Sequence, residues 1–259
     1  MMTHRVFARN SESSRAMPAA KTISRVRKNP VVPIEWGANN KGMESNSPLE
    51  AAAATAAEQE WSRIAQESVS AGERLLEIGV HKQWLNRVIE PFNTITVVIT
   101  ATAWDNFFSL RCSKEAQPEM QRIAWLMLKR MVESTPSILN FGQWHMPFSD
   151  TIKEEGISVE DKLKICTARC ARTSYLNHEG LIDFKKDIEL HDNLANDGHW
   201  SPFEHCAKAV DSRKPELLDT GCYVGWLPYR KTFSREHKAW INRESLLKDC
   251  PFREWLETV

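Results

Sequence analysis

Arginine, amide and hydroxyl side chains recur in four clusters of this 259-residue chain. The first is His4-Arg5-Val6-Phe7-Ala8-Arg9-Asn10-Ser11-Glu12-Ser13-Ser14-Arg15. The second is Arg87, then Asn106–Arg111 and Ala116–Glu119; the third is Ala168–Tyr175; the fourth is Gly198–His205. Guanidinium groups bind phosphates and planar ring edges through paired hydrogen bonds. Each cluster also has a plainer reading. The first can be a loose basic chain end. Arg111 can cap a helix C-terminus, Arg169 and Arg172 can be a solvated face, and His199 and His205 can be satisfied by nearby backbone. No nucleophile stands beside an evident base, and no carboxylate pair suits hydrolysis. No Gly-rich phosphate loop is present, so a bound nucleotide needs another device for its phosphates. The residues by themselves point to an anion-binding, nucleotide-binding soluble α/β protein.

Composition narrows the classes. Lys plus Arg and Asp plus Glu are both 34, which argues against a general nucleic-acid binder. Ten Trp suit flat ligand pockets as well as cores. Six irregularly spaced Cys fit a reduced intracellular protein. Cys166 and Cys170 with His199, His205 and Cys206 can be drawn as a metal set, but a lone C-x3-C argues against it; no metal is expected. No apolar run reaches the roughly 18 residues of a membrane span. The start has no apolar signal region, so a cytoplasmic protein without a membrane partner is expected.

The clusters need elements to hold them. Residues 19–48, with Pro30, Pro33, Gly37, Gly42 and Pro48, read as a long irregular segment whose Val31, Val32, Ile34 and Trp36 pack down. Ser47-Pro48-Leu49-Glu50 reads as a helix start capped by Ser47. The helix that follows has Trp61, Ile64, Ala65, Ala71, Leu75 and Leu76 on its inner face and stops at Gly79. A shorter helix covers 81–91. The β-branched run 94–100 predicts a strand, with a buried helical or irregular stretch as the alternative. Helices follow at 103–112 and from Pro118 to about 135, the latter with Met120, Ile123, Ala124, Met127 and Met131 inward. Residues 137–158 are loop-like around Trp144-His145-Met146-Pro147. Helical pattern returns at 159–176, 181–196 and 233–248. Strands are expected from His205 to Val210 and from Cys222 to Tyr229.

Together the clusters resemble the flavin-dependent thymidylate synthases, whose signature is RHRxxSxNExSxRY. Thr3 to Ala16 gives THRVFARNSESSRA, matching at His4, Arg5, Asn10, Ser13 and Arg15. The family's ARxS element is similar to Ala171–Ser174, its GHxxPFEH to Gly198–His205, its NFLxLR…AQ to Asn106–Arg111 with Ala116-Gln117, and its upstream arginine to Arg87 before Pro91. In the family, ARxS and GHxxPFEH come first; here they come last. That order is what a circular permutation gives, with the cut just before His4. Permutation is cheap when old termini are close and new ones open at the surface. Arg230, at the end of Trp226-Leu227-Pro228-Tyr229-Arg230, then stands in for the first arginine, replaced by Thr3.

The resemblance implies an α+β fold with a central, mostly antiparallel sheet flanked by helices. It implies one domain over 1–259, made of a motif loop and helical half (1–135) and an ARxS/GHxxPFEH half (136–259). It implies FAD held by His4, Arg5, Val6, Asn10, Asn106, Ser174, His199 and Arg230 in a homotetramer. Ser11, Ser13, Ser14, Arg15, Arg87 and Arg111 are then the pyrimidine deoxynucleotide's residues, with Arg111 polarising the uracil. The implied reaction is reductive methylation of dUMP to dTMP, with methylenetetrahydrofolate and NADPH as co-substrates and no stable nucleic-acid partner. The signature Ser, Glu and Tyr are Ala8, Ser11 and Ala16 here, Thr100-x-Thr102 stands for an Asn-x-Arg pair, and Glu115 replaces the His before AQ. These departures leave open C5 modification of another pyrimidine, such as dCMP, a hydroxymethylated product, or a non-catalytic nucleotide-binding relative. His4–Arg15 is expected to be ordered and buried against Cys222–Arg230.

Overall fold

The opening motif runs into a strand. The computed structural model describes residues 7–41, 45, 47–173, 183–211, 222–234, 236, 248 and 250–252. Within them β1 (Ala8–Ser11) pairs antiparallel with β2 (Val97–Thr100), Ala8 opposite Thr100 and Ser11 opposite Val97. The β-branched Val97-Val98-Ile99-Thr100 suits such a pleated ribbon, and the strand expectation for this run holds.

Three helices lie between these strands in sequence and pack on one another: α1 (Ala19–Lys28), α2 (Ala51–Glu77) and α3 (Lys82–Ile89). Helix α1 corrects the expectation of an irregular 19–48 segment. Ala19, Thr22, Ile23 and Val26 are buried at helical spacing, and no breaker falls between Pro18 and Pro30. Only the part after α1 is irregular, and it is pinned down. Val31 donates to the Phe92 carbonyl, the Trp61 indole donates to the Val31 carbonyl, and Gly37 bridges to Pro48. That bridge uses the Ser47-Pro48 tetrad to close the loop, so α2 begins at Ala51 and not at a Ser47 cap.

Helix α2 turns Ala65, Val69 and Gly72 inward, with Trp61 and Leu75 beside them, while Ile64 and Leu76 are exposed. Gly72 permits the close approach of α3: a Cβ there would stand 2.6 Å from Ile89 Cδ1. Gly79 takes a positive φ just past the helix end. After β2, α4 (Asp105–Arg111) and α5 (Pro118–Glu133) enclose Phe107 and Ala124 around Phe7. On α5, Met120 and Met127 face this cluster, but Ile123 and Met131, expected inward, are largely exposed.

The later half packs α6 (Val159–Ala171) on α7 (Phe184–Asn196). A second antiparallel sheet has the order β3 (Trp144–His145), β4 (Ala207–Ala209), β5 (Trp226–Pro228). Its core is aromatic, with Phe203 and Tyr229 buried among Trp144, Trp200 and Phe233. Most of the helix expected over 233–248, including its inward residues Trp240, Ile241, Leu246 and Leu247, lies outside the described residues. The fold is α+β, and its antiparallel sheet is present in two pieces. They meet where Thr102 N–H donates to the Cys222 carbonyl, Val224 N–H donates to Thr102 Oγ1, and Thr100 Oγ1 lies 2.8 Å from His205 Nδ1.

Candidate functional site

Strand β1 is where the sequence clusters converge. Phe7, just before it, sits with its ring centroid 4.7 Å from Trp104 and 5.4 Å from Phe107. That contact ties α4, which carries Asn106 and Arg111, to the opening motif. Ala8 is buried with Ala207 and Tyr223, and Cys222 and Trp226 lie against them. Asn10 Nδ2 donates a long 3.5 Å bond to the Cys170 carbonyl near the C-terminal end of α6. The same carbonyl accepts from Thr173 Oγ1 at 2.7 Å. Asn10 Oδ1 is buried without a hydrogen-bond partner among the described residues. Strand β1 also packs on the short 3-10 turn Ser201–Glu204 within Gly198–His205.

The chain leaving β1 is held from the helical side. Glu12 is buried, its carboxylate 3.1 Å from Arg25 Nη1 and accepting from Thr96 N–H at 3.2 Å. Residues 13–17 then form a turn in which Ala16 and Met17 N–H donate to the Ser13 carbonyl. Asn86 on α3 donates to the Ser14 and Met17 carbonyls, and Lys82 donates to that of Ala16. Ser13 and Arg15 are left exposed and Ser14 half-buried. Arg87 is exposed, its guanidinium 4.9 Å above the Trp84 ring.

Buried polar groups join the halves on the other side of β1. His205 is fully buried, and burial together with the nearby His145 depresses its pKa to about 4. Its Nε2 has no hydrogen-bond partner among the described residues, so the neutral ring bonds through Nδ1 to Thr100. The Tyr223 hydroxyl donates to the Glu204 carbonyl, and burial pushes its pKa well up. The Glu204 carboxylate pairs with Arg230, which also pairs with Glu236. Arg169 is no solvated face: it is buried, paired with Asp187, and donates to Thr151 and the Phe148 carbonyl. Arg172 completes that cluster through Asp187. Burial raises the Cys166 thiol to about 12 and also pushes Cys170 and Cys206 well up. They are poor nucleophiles at neutral pH.

The sequence model of the thymidylate synthase complementing protein family matches residues 1–137. The chain belongs to this family. Comparison with curated proteins and with solved structures returns no match. Membership supports a flavin-dependent thymidylate synthase-type enzyme with a nucleotide substrate. The matched part contains the opening motif, β1 and the arginine-bearing helices, and ends before Ala171–Ser174. No described helix is long and apolar enough to cross a membrane.

Within this family member, β1 brings Asn10 to the end of α6 and to the Gly198–His205 element. Phe7 brings in α4, where Asn106 is exposed and Arg111 is the half-buried last residue. Ser11 is exposed on β1 and His199 is exposed before the 3-10 turn. Arg230 sits on Glu204 of the same element. The burial expected for the opening motif is confined to Phe7, Ala8 and Glu12 over residues 7–15, and Ala8 provides the contact with Tyr223. His4, Arg5, Val6 and Ser174 lie outside the described residues. The sequence reading named Glu12 and Thr100 without their buried partners, and missed Lys82, Asn86 and Tyr223. One signal was available: Asn86 shares the helical face of Leu85 and Ile89, a place where an amide must find partners.

Proposed function

We propose that this chain is a flavin-dependent thymidylate synthase with a circularly permuted order, catalysing reductive methylation of dUMP to dTMP with methylenetetrahydrofolate and NADPH. The observation that carries the reading is the convergence on β1 of elements far apart in sequence: Asn10 against the end of α6, β1 against Ser201–Glu204, and Phe7 against α4. The packing of Ala8 on Tyr223 supports the permutation, since it sets the opening motif beside the late strand that leads to Arg230.

The residues fit a flavin. Asn10 Oδ1 is a buried acceptor without a partner among the described residues. Exposed Asn106 and His199 add an amide and an imidazole. His4, Arg5, Val6, Asn10, Asn106, Ser174 and His199 hold FAD in this reading, and Arg230 supports them by fixing Glu204. When bound, FAD supplies the redox chemistry. Ser11, Ser13, Ser14, Arg15 and Arg87 bind the nucleotide. Arg111, at the end of α4, places its guanidinium on the pyrimidine carbonyl and draws electron density from the ring. No protein nucleophile is required, in keeping with the high thiol pKa values. Exposure of these side chains in the single chain fits a site completed by neighbouring subunits of a homotetramer. The protein is then a single cytoplasmic domain.

The test is to load purified protein with FAD and follow its visible spectrum. Turnover with methylenetetrahydrofolate and NADPH is then assayed on dUMP and on dCMP. The expected outcome is bound flavin and dTMP from dUMP. Absence of flavin binding overturns the enzyme reading, and a product from dCMP alone or a hydroxymethyl product overturns the substrate and reaction.

A further inference from the structure

We propose that Asn86, assisted by Lys82, is a positioning residue that sets the 13–17 turn for the nucleotide; this rests on the reading of Ser13, Ser14 and Arg15 as nucleotide-binding. Asn86 is 1% exposed on α3. Its Nδ2 donates to the Ser14 carbonyl at 2.7 Å and to the Met17 carbonyl at 3.0 Å. Lys82, one helical turn earlier, donates to the Ala16 carbonyl at 3.0 Å. Of the carbonyls from 14 to 17, three are therefore taken by one helix. The Ala16 and Met17 amides are used by the Ser13 carbonyl. With these carbonyls held by α3 and these amides by the turn itself, the side chains of Ser13 and Arg15 are left exposed.

The residue type matters. A primary amide brings two N–H donors on one nitrogen, and both are used here. Its Oδ1 is buried with no hydrogen-bond partner among the described residues, so the donors are what the position needs. A serine or alanine cannot span both carbonyls, and an aspartate would oppose them with acceptors. A loop already ordered before the ligand arrives loses less entropy on binding, which improves affinity. The next residue, Arg87, is exposed. The same turn of α3 thus holds the loop with one residue and presents a guanidinium with the following one.

The experiment compares wild type, Asn86→Asp and Lys82→Ala, each loaded with FAD. One arm measures tryptic cleavage after Arg15 by mass spectrometry, which reads the turn without ligand. The other measures dUMP affinity by calorimetry and separates KM from kcat. Asn86→Asp removes both bonds and should speed the nick and weaken dUMP binding, each by at least about tenfold, the scale of a single lost net hydrogen bond. KM should rise while kcat and the flavin spectrum hold. Lys82→Ala, at the rim, should give a smaller change in the same direction and decides the matter if Asn86→Asp does not fold. Unchanged nicking in both variants overturns the latch. Faster nicking with unchanged dUMP affinity overturns its task in binding. Wild-type protein that takes up flavin but no dUMP overturns instead the nucleotide reading on which this rests.

Discussion

Removing Arg25 should loosen the opening motif by an amount that the structure sets. Arg25 Nη1 lies 3.1 Å from Glu12 Oε1 and 2.9 Å from the Thr94 carbonyl. The Glu12 side chain is 3% exposed and that of Arg25 is 28% exposed. In Arg25→Ala, Glu12 keeps the hydrogen bond from the Thr96 N–H but loses the guanidinium beside it. Breaking a fully buried pair from one side costs about 3–5 kcal/mol, and a single charge-assisted hydrogen bond contributes about 1.5–3 kcal/mol. Partial exposure of Arg25 places the expected loss near 2 kcal/mol, since solvent screens the outer partner. For a chain of this size that is about 4–8 °C in Tm. Glu12→Gln keeps an acceptor for Thr96 and should cost about 1 kcal/mol. The double variant should lose less than the sum, with a coupling of about 1 kcal/mol. Urea unfolding followed by circular dichroism measures the cycle. Strict additivity, or an Arg25→Ala loss below about 0.5 kcal/mol, would refute the clamp.

Three other perturbations test different parts of the molecule. Arg111→Ala should abolish turnover while leaving the flavin spectrum intact; retained turnover overturns its assigned role. His205 has a folded pKa near 4 against about 6.5 unfolded. The unfolded chain therefore takes up the proton first, and stability is full above about pH 6.5 and falls by on the order of 3 kcal/mol towards pH 4. Burial also lowers His145 and His191, which act in the same direction. His205→Asn keeps a donor for Thr100 but no titration, so thermal melts at pH 7 and pH 5 should differ less than in wild type; an equal difference refutes the assignment. Gly72→Leu must push α2 from Ile89 and should cost about 1–3 kcal/mol in urea unfolding. An unchanged midpoint would show that the two helices part freely.

Local chemistry was legible along the chain. Pro118 with apolar residues at helical spacing marked α5, and the β-branched run marked β2. The spacing of His4, Arg5, Asn10, Ser13 and Arg15 led to the family without any structure. Arg87, Asn106, Arg111 and His199 stood in clusters before their placement was known. Where the reading failed locally, a louder signal masked a quieter one. Prolines and glycines after residue 29 hid α1, although Ala19, Thr22, Ile23 and Val26 carried its periodicity. Ser47-Pro48 looked like a cap, but the Ser47 carbonyl accepts from Ala38 N–H and Leu49 N–H donates to the Trp36 carbonyl.

Only the tertiary structure decided which polar residues hold the site together. Asn86 meets a carbonyl 72 residues away at Ser14, and Thr100 meets His205 across 105 residues. Nothing in the local sequence encodes such a partner, because a buried amide or imidazole is satisfied by whatever backbone the packing of distant elements brings to it. The sequence alone determined the inventory of donors and the order of the elements. Folding decided that Glu12 turns inward while Ser13 and Arg15 remain outside, and that β1 is the strand on which the scattered clusters meet.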